Sequence, residues 1–507
     1  MKTIKKYLIP ALCIFNVILH LLAIQFLEFH RDELLYFSLS NHLDLGYASV
    51  PPFISWMAYL MKGIFGFSMF SVKLLPALLS GVIVYLGAKI AKELGGDFYA
   101  QVLTVVALMC TPFGLRSFIL FQPVPFDVFF WTLIYYIILK YINTDINKWL
   151  YILGVIIGIA LLNKYLVLLQ LFSLMAIIPF TKYRNLFLKP QFYHCLGIAL
   201  VIASPNIYWQ FANDTPLFTH FSALQETQLQ YLSKSEFILD QVFMFYTSFI
   251  LAFIGSIYLF YHSKSKQLWL FSLSALTVFL TLLLMSGKSY YTAGIYPFLI
   301  AAGSVFISTK IKTKWVKSVV IAAIVILILP LLPVGIPILP PKKLSSYFDG
   351  LESVGIDIGR VHEDGNKHPL PQDFSDMLGW HEIAALAKQA YDSVEDKDAC
   401  AIFGENYGIA GAVSLLNKKY GMPEAVSFSD TYEYWVPRKF DPDITSFIYI
   451  NDELGSNVEA LFEDIKIIGS IDDPLSRQYG VTIYLCQKPR RSFNEFWNEV
   501  VESVLGE

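Results

Sequence analysis

The chain has 507 residues, 55% of them hydrophobic and 16% charged, with a mean hydropathy of +0.52 and a formal net charge of −3. Soluble domains carry roughly a quarter charged residues, so a wholly soluble protein is excluded. No basic stripe lies on a folded domain, which excludes a nucleic-acid binder of the usual kind. The small net charge hides an asymmetry: residues 1–340 hold 23 Lys+Arg against 12 Asp+Glu, and residues 341–507 hold 15 against 29. The change falls at the Pro-rich stretch PLLPVGIPILPP, 330–341. A transmembrane domain over 1–340 and a soluble domain over 341–507 are therefore expected.

A helix crossing ~30 Å of hydrocarbon needs about 17–25 apolar residues. Runs of that kind fall at 7–27, 70–91, 97–113, 125–142, 149–163, 165–180, 191–209, 237–261, 267–285, 291–308 and 316–334. The reading is a polytopic α-helical membrane protein of about 11 spans, although 149–180 also reads as one long or broken helix. The run 52–66 is short and reads as a helix lying in the membrane interface. No small-residue cleavage site follows the first span, so it is not a removed signal. With the N-terminus inside, the inner loops carry 16 Lys+Arg and the outer loops 7, as the positive-inside rule requires. Eleven spans then place the acidic C-terminal domain outside the cytoplasm.

In that domain ACAIF, SFIYI and GVTIYLC read as buried strands, and 382–394 and 409–421 as helices, which predicts a compact α/β fold. Phe493, Phe496, Trp497, Val500 and Val504 share one face of a last helix, expected to pack on the domain. GENYG at 404–408 lacks the spacing of a nucleotide loop. Cys400 and Cys486 fall in strands read as neighbours, which would allow a disulfide. The nine histidines show no metal-ligand spacing.

Ionisable groups beside a bilayer are costly and mark functional sites. Asp32 and Glu33 follow Arg31 directly after the first span, in RDELLYFSLSNHLDLGYASVPP, 31–52. Under the assigned orientation Asp127, Lys164 and Lys288 also fall at outer span ends. A carboxylate there can act as a general base, and lysine or arginine can hold a phosphate leaving group. Taken alone, Lys288 reads equally as a snorkelling lysine.

These segments, in order, resemble the glycosyltransferase family 39 and aminoarabinose-transferase-like proteins of the GT-C fold. The first-loop pattern is carried by Asp32, Glu33, Tyr36, Gly46, Tyr47, Pro51 and Pro52. FQPVPFDVFFWTL at 121–133 matches a segment with an acid at a span start, Asp127. LLNKYLVLL at 161–169 matches a Lys-Tyr element, ASPNIYWQ at 203–210 a Pro-Asn-x-x-Trp element, and SGKSYYTAGIYPFLIAAGS at 286–304 a Lys-x-Tyr-Tyr element. LPQDFSDMLGWHEIA and FGENYGIAGAV resemble a region of a bacterial subgroup. The resemblance implies an inverting membrane glycosyltransferase in the bacterial inner membrane. It would move a sugar from a polyprenyl-phosphate carrier to a lipid, glycan or protein acceptor of the cell envelope, on the outer face. It implies Asp32 as base with Glu33 in support. Lys288, Arg116, Lys164, Tyr290 and Tyr291 would serve the donor phosphate and lipid, with Arg31, Tyr36, Tyr47 and Asp127 in the cleft. Many relatives carry an acid just before Pro-Pro, whereas Ser49 and Val50 stand here. No metal site is therefore expected, although a divalent cation is compatible with a phosphate donor. The alternatives are a transporter or flippase of lipid-linked saccharides, or a homologue that only binds the carrier.

Overall fold

The computed structural model describes residues 2–22, 25–227, 233–262, 267–356 and 359–506. Lys264 and Lys266, counted among the inner-loop lysines, lie outside the described residues. The chain forms two compact units. The first comprises Met1–Gln25, Asp44–Ile54 and Lys73–Ile338, and the second Phe26–Leu43, Ser55–Val72 and Leu339–Glu507.

The first unit is helical. Among the described residues, six helices are long and apolar enough to cross a membrane: Lys5–Leu22, Met69–Glu93, Pro123–Thr144, Pro190–Ala212, Ser289–Lys310 and Lys314–Gly335. Four more of the expected spans are shorter apolar helices: Phe98–Met109, Lys148–Asn163, Val167–Phe180 and Trp269–Leu284. The stretch 149–180 is two helices, broken at Lys164, whose backbone is extended.

The run 237–261, read as one span, is two helices bent by 104°. The break is at Tyr246, which has a φ of 45°. A bulky residue rarely adopts a positive φ, so packing must enforce it. Gln241, buried one turn earlier, supplies that packing. It donates to Ser289 O (3.2 Å) and accepts from the Thr292 and Tyr296 hydroxyls (2.6 and 2.8 Å). Phe245 stacks on Tyr296 with ring centroids 3.6 Å apart. The first half-helix is thus tied to the 289–296 segment, and the chain turns to rejoin the bundle.

Close helix packing in a membrane relies on small residues, since lipid tails are as apolar as leucine and add no hydrophobic drive. Thr247–His262 and Tyr296–Lys310 run antiparallel, with Gly255 and Gly303 facing the partner's backbone. A Cβ at Gly255 would stand 1.9 Å from Leu299 O, and one at Gly303 1.9 Å from Leu251 O. Main chain cannot yield as a flexible side chain does.

The second unit centres on a four-stranded sheet: β1 (Cys400–Gly404), β2 (Ser446–Asn451), β3 (Phe462–Ser470) and β4 (Thr482–Pro489). The strand order is β1-β2-β4-β3, with β1 and β2 parallel and the other pairs antiparallel. Strand β2 separates the strands of Cys400 and Cys486, and both cysteines are free and buried, so the disulfide does not form. The closing helix Phe493–Leu505 buries Phe493, Phe496, Trp497 and Val501 against Phe447 and Phe462. Val504, expected on that buried face, is 53% exposed.

Gly303→Val should lower the thermal stability of the detergent-solubilised protein by about 2 kcal/mol or more, the usual cost of overpacking or worse. Gly197→Val, at a glycine whose Cβ would meet nothing within 4 Å, should leave the melting temperature nearly unchanged. Light-scattering melts of the two variants make the comparison.

Candidate active site

Asp32 and Glu33 are adjacent in sequence, yet the helix Arg31–Leu39 gives them different work. His30 is its N-cap, with ring Nδ1 accepting from the Asp32 N–H at 3.1 Å. Glu33 completes the capping box: its Oε2 accepts from the His30 N–H at 2.8 Å, and its side chain is wholly buried. Such reciprocal caps satisfy donors that a helix start leaves open, each worth about 1 kcal/mol. The side chain of Asp32 is 30% exposed instead. Its Oδ1 accepts from the Tyr407 hydroxyl at 2.8 Å. The Arg31 guanidinium lies over the Tyr407 ring, 4.5 Å from its centroid. Burial first, and the Asp32 charge second, push the Tyr407 hydroxyl well above its ordinary range, so it stays protonated and donates.

Asp376, also in the second unit, is buried and paired with Arg477 at 3.1 Å. Burial is the largest effect on its carboxyl and raises it; His30, Arg477 and Arg31 act the other way. Tyr36, from the same helix as Asp32, is buried.

The far end of that helix is held as well. The Asn41 amide donates to Glu424 Oε1 at 3.1 Å, and His42 Nε2 lies 2.8 Å from Glu424 Oε2. Lys62 donates to Ser40 Oγ and Asn41 Oδ1 at 2.8 and 2.6 Å. The His42 ring stacks on Trp435. Glu424 is lowered from the ordinary carboxylate range, first by its hydrogen bond with His42.

In the first unit a separate set of expected residues gathers. Lys164 terminates the helix Lys148–Asn163, where a cation complements the helix dipole. Its ammonium lies 4.3 Å from the ring centroid of Tyr291 and 5.6 Å from that of Tyr290. It is also the cation acting on Asp127, which is 7% exposed near the start of Pro123–Thr144. Asp127 Oδ1 is buried with no hydrogen-bond partner among the described residues. Two contacts assemble this group. Asn163 Nδ2 donates to Pro123 O at 3.1 Å, and Gly294 lets the 289–295 turn approach Trp131, where a Cβ would meet the Trp131 Cβ at 2.6 Å. Lys288 caps that turn half-buried and forms no ion pair among the described residues. Arg116 is engaged elsewhere, donating to Val334 O at 3.3 Å.

Tyr47 is buried in its own turn, its hydroxyl accepting from the Asp44 N–H at 3.0 Å. Here three separated motifs meet. Gly46 lies so close to Trp209 that a Cβ would stand 2.3 Å from its ring. Asn206 donates to Leu45 O at 2.7 Å and accepts from the Tyr165 hydroxyl. Among the described residues no three His, Cys, Asp or Glu side chains group as a metal site requires.

Tyr407 and Gln241 were not singled out from the sequence. For Tyr407 the available signal was Asn406, a capping residue before a Gly-rich apolar run; for Gln241 it was an amide inside an apolar span.

Residues 49–209, about a third of the chain, match the family model described as dolichyl-phosphate-mannose-protein mannosyltransferase. No curated protein matches the chain in sequence. The solved structure of ArnT from Cupriavidus metallidurans bound to undecaprenyl phosphate is similar over 94% of this chain and 97% of its own, at 15% identity and a TM-score of 0.66. The apo state of the same protein is similar over 95% and 98%, at 12% identity and a TM-score of 0.63. The fold is thus similar to that of ArnT. The family model is similar to residues 49–209 alone, and the ArnT likeness runs over nearly the whole chain as a likeness of fold.

Two outcomes follow for the second unit and the Gly46 turn. A carboxylate lowered in the fold contributes stability above its unfolded pKa and loses it as pH falls through the lowered value. Thermal melts from about pH 6 down to about pH 3 should therefore show an acid-side loss that Glu424→Gln reduces. Asn206→Leu leaves Leu45 O and the Tyr165 hydroxyl without this partner and should cost about 1–3 kcal/mol in the same melts, more than Asn213→Leu at an exposed helix end.

Proposed function

We propose that this protein transfers a sugar from a polyprenyl-phosphate carrier to an acceptor on the extracytoplasmic face of a bacterial inner membrane, with Asp32 as general base. The observation that carries this is the division of labour in the Asp-Glu pair. Glu33 is committed to its own helix cap, whereas Asp32 keeps a partly exposed carboxylate oriented by the Tyr407 hydroxyl. A base must reach a proton in solvent or substrate, and of the two only Asp32 is partly exposed.

Chemically, an acceptor hydroxyl or amine gives its proton to Asp32 as its oxygen or nitrogen attacks the anomeric carbon. The bond from that carbon to the phosphate oxygen breaks on the opposite face, with inversion, and polyprenyl phosphate leaves. Negative charge grows on the phosphate as it departs, and positive groups lower that barrier. The family resemblance supports Lys164, with Tyr290 and Tyr291 beside it, and Lys288 at the head of the 289–295 turn as candidates for that role within the first unit. The undecaprenyl phosphate of the solved relative supports the same carrier here. The assigned orientation, with the N-terminus inside and the C-terminal domain outside, belongs to this proposal.

A transporter of lipid-linked saccharides is the second reading, and the break at Tyr246 favours it, because discontinuous helices are common in transporters. The charged groups described above sit at helix ends and not in mid-span, which favours the enzyme.

Transfer from a panel of undecaprenyl-phosphate-linked hexoses and pentoses to envelope glycans, lipids and proteins, followed by mass spectrometry, is the test. Asp32→Asn should lower turnover by at least about a hundredfold while carrier binding persists. Unchanged transfer in that variant would remove Asp32 as the base. Carrier translocation without any sugar transfer would establish the second reading.

A further inference from the structure

The second unit does more than flank the helix that carries Asp32: it supplies a hydroxyl to that carboxylate. Helix Tyr407–Asn417 lies against Arg31–Leu39 at backbone distance. A Cβ at Gly411 would stand 3.0 Å from Leu34 Cβ and 3.2 Å from Leu34 O. A Cβ at Gly408 would stand 2.7 Å from Arg31 Cγ and 2.8 Å from the Trp380 ring. The first turn of Tyr407–Asn417 is itself fixed by Asn406, whose side chain accepts from the Gly408 and Ile409 N–H groups at 3.0 and 3.2 Å. Tyr407 is the first residue of that helix. Its ring is clamped under Arg31, and its hydroxyl ends on Asp32 Oδ1.

We propose that Tyr407 is a positioning residue for the reaction, acting through Asp32. The inference rests on the proposed role of Asp32 as base. The hydrogen bond fixes the rotamer of the carboxylate, so that the proton-accepting oxygen meets the acceptor in one geometry. It also favours the ionised form, because a donor to a carboxylate stabilises its charge. A purely structural tyrosine would hold the two helices together through its ring, and loss of the hydroxyl alone would then leave the chemistry untouched.

The experiment uses the full-length protein in detergent and the substitution Tyr407→Phe, which keeps the ring over Arg31 and removes only the donor. Infrared difference titration, with Asp32→Asn as the subtracted reference, reads the protonation of the Asp32 carboxyl without any substrate. The midpoint should rise in Tyr407→Phe. With the undecaprenyl-phosphate-linked sugar accepted by the wild type, kcat should fall about tenfold, the scale of a hydrogen bond to a charged group. KM for that donor should hold, and the acid limb of the kcat profile should move to higher pH. Should the Phe variant not be recovered folded, Tyr407→Met repeats the titration. An unmoved midpoint and an unmoved acid limb would overturn the inference. If Asp32→Asn itself leaves transfer intact, the proposed base is wrong; if Asp32→Asn abolishes transfer while Tyr407→Phe behaves as wild type, only the role of Tyr407 is wrong.

Discussion

Two glycines decide how the candidate base is presented. Gly408 and Gly411 lie three apart on one helix face, and a Cβ at either would crowd Arg31–Leu39, at 2.7 Å from Arg31 Cγ and 3.0 Å from Leu34 Cβ. With the helices this close, the first residue of one reaches the first turn of the other. The Tyr407–Asp32 hydrogen bond, the Arg31 contact and the exposure of the Asp32 carboxylate all depend on that approach. A larger residue at Gly408 would press on Arg31 itself, and one at Gly411 on the Leu34 side chain and backbone.

The Asp-Glu pair shows how adjacency in sequence can mislead. Both acids stand in the first turn of a helix, where negative charge is favourable. The third helical position reaches back to the cap, and the second does not. Helical geometry thus sends Glu33 into the interior and leaves Asp32 at the rim. The pair is one structural acid and one chemical candidate, not two halves of one site.

Much of the membrane part was legible. The apolar runs became helical, the run 237–261 as two helices rather than one, because an apolar stretch of that length in lipid has to satisfy its backbone internally. The break at Tyr246 was not legible, since no proline or glycine marks it and the cause, Gln241 bonded to the 289–296 segment, lies some fifty residues away. Strand β3 was missed for a related reason: FEDIKIIGS is an edge strand, largely exposed, with a register shift between Ile467 and Gly469, so its alternation is blurred. The placing of Lys164 and Asp127 at helix ends was readable from span boundaries, whereas Asp32 begins a separate nine-residue helix after the first span. The dual fate of Asp32 and Glu33 required the cap of His30, an unusual capping residue whose role depends on ring orientation. Tyr407 required a pairing between residues 375 apart, which no local pattern encodes.

The second unit is assembled from chain segments at the two extremes of synthesis: Phe26–Leu43 and Ser55–Val72 emerge early, and Leu339–Glu507 emerges last. The Arg31–Leu39 helix is nine residues long, too short to persist alone in water. Its packing partner, Tyr407–Asn417, is made only after more than three hundred further residues have been translated. The ribosome therefore completes nearly the whole membrane bundle before Asp32 acquires its neighbours. Until the final part of the chain is present, Asp32 lacks the Tyr407 hydroxyl and the helix that packs against its own.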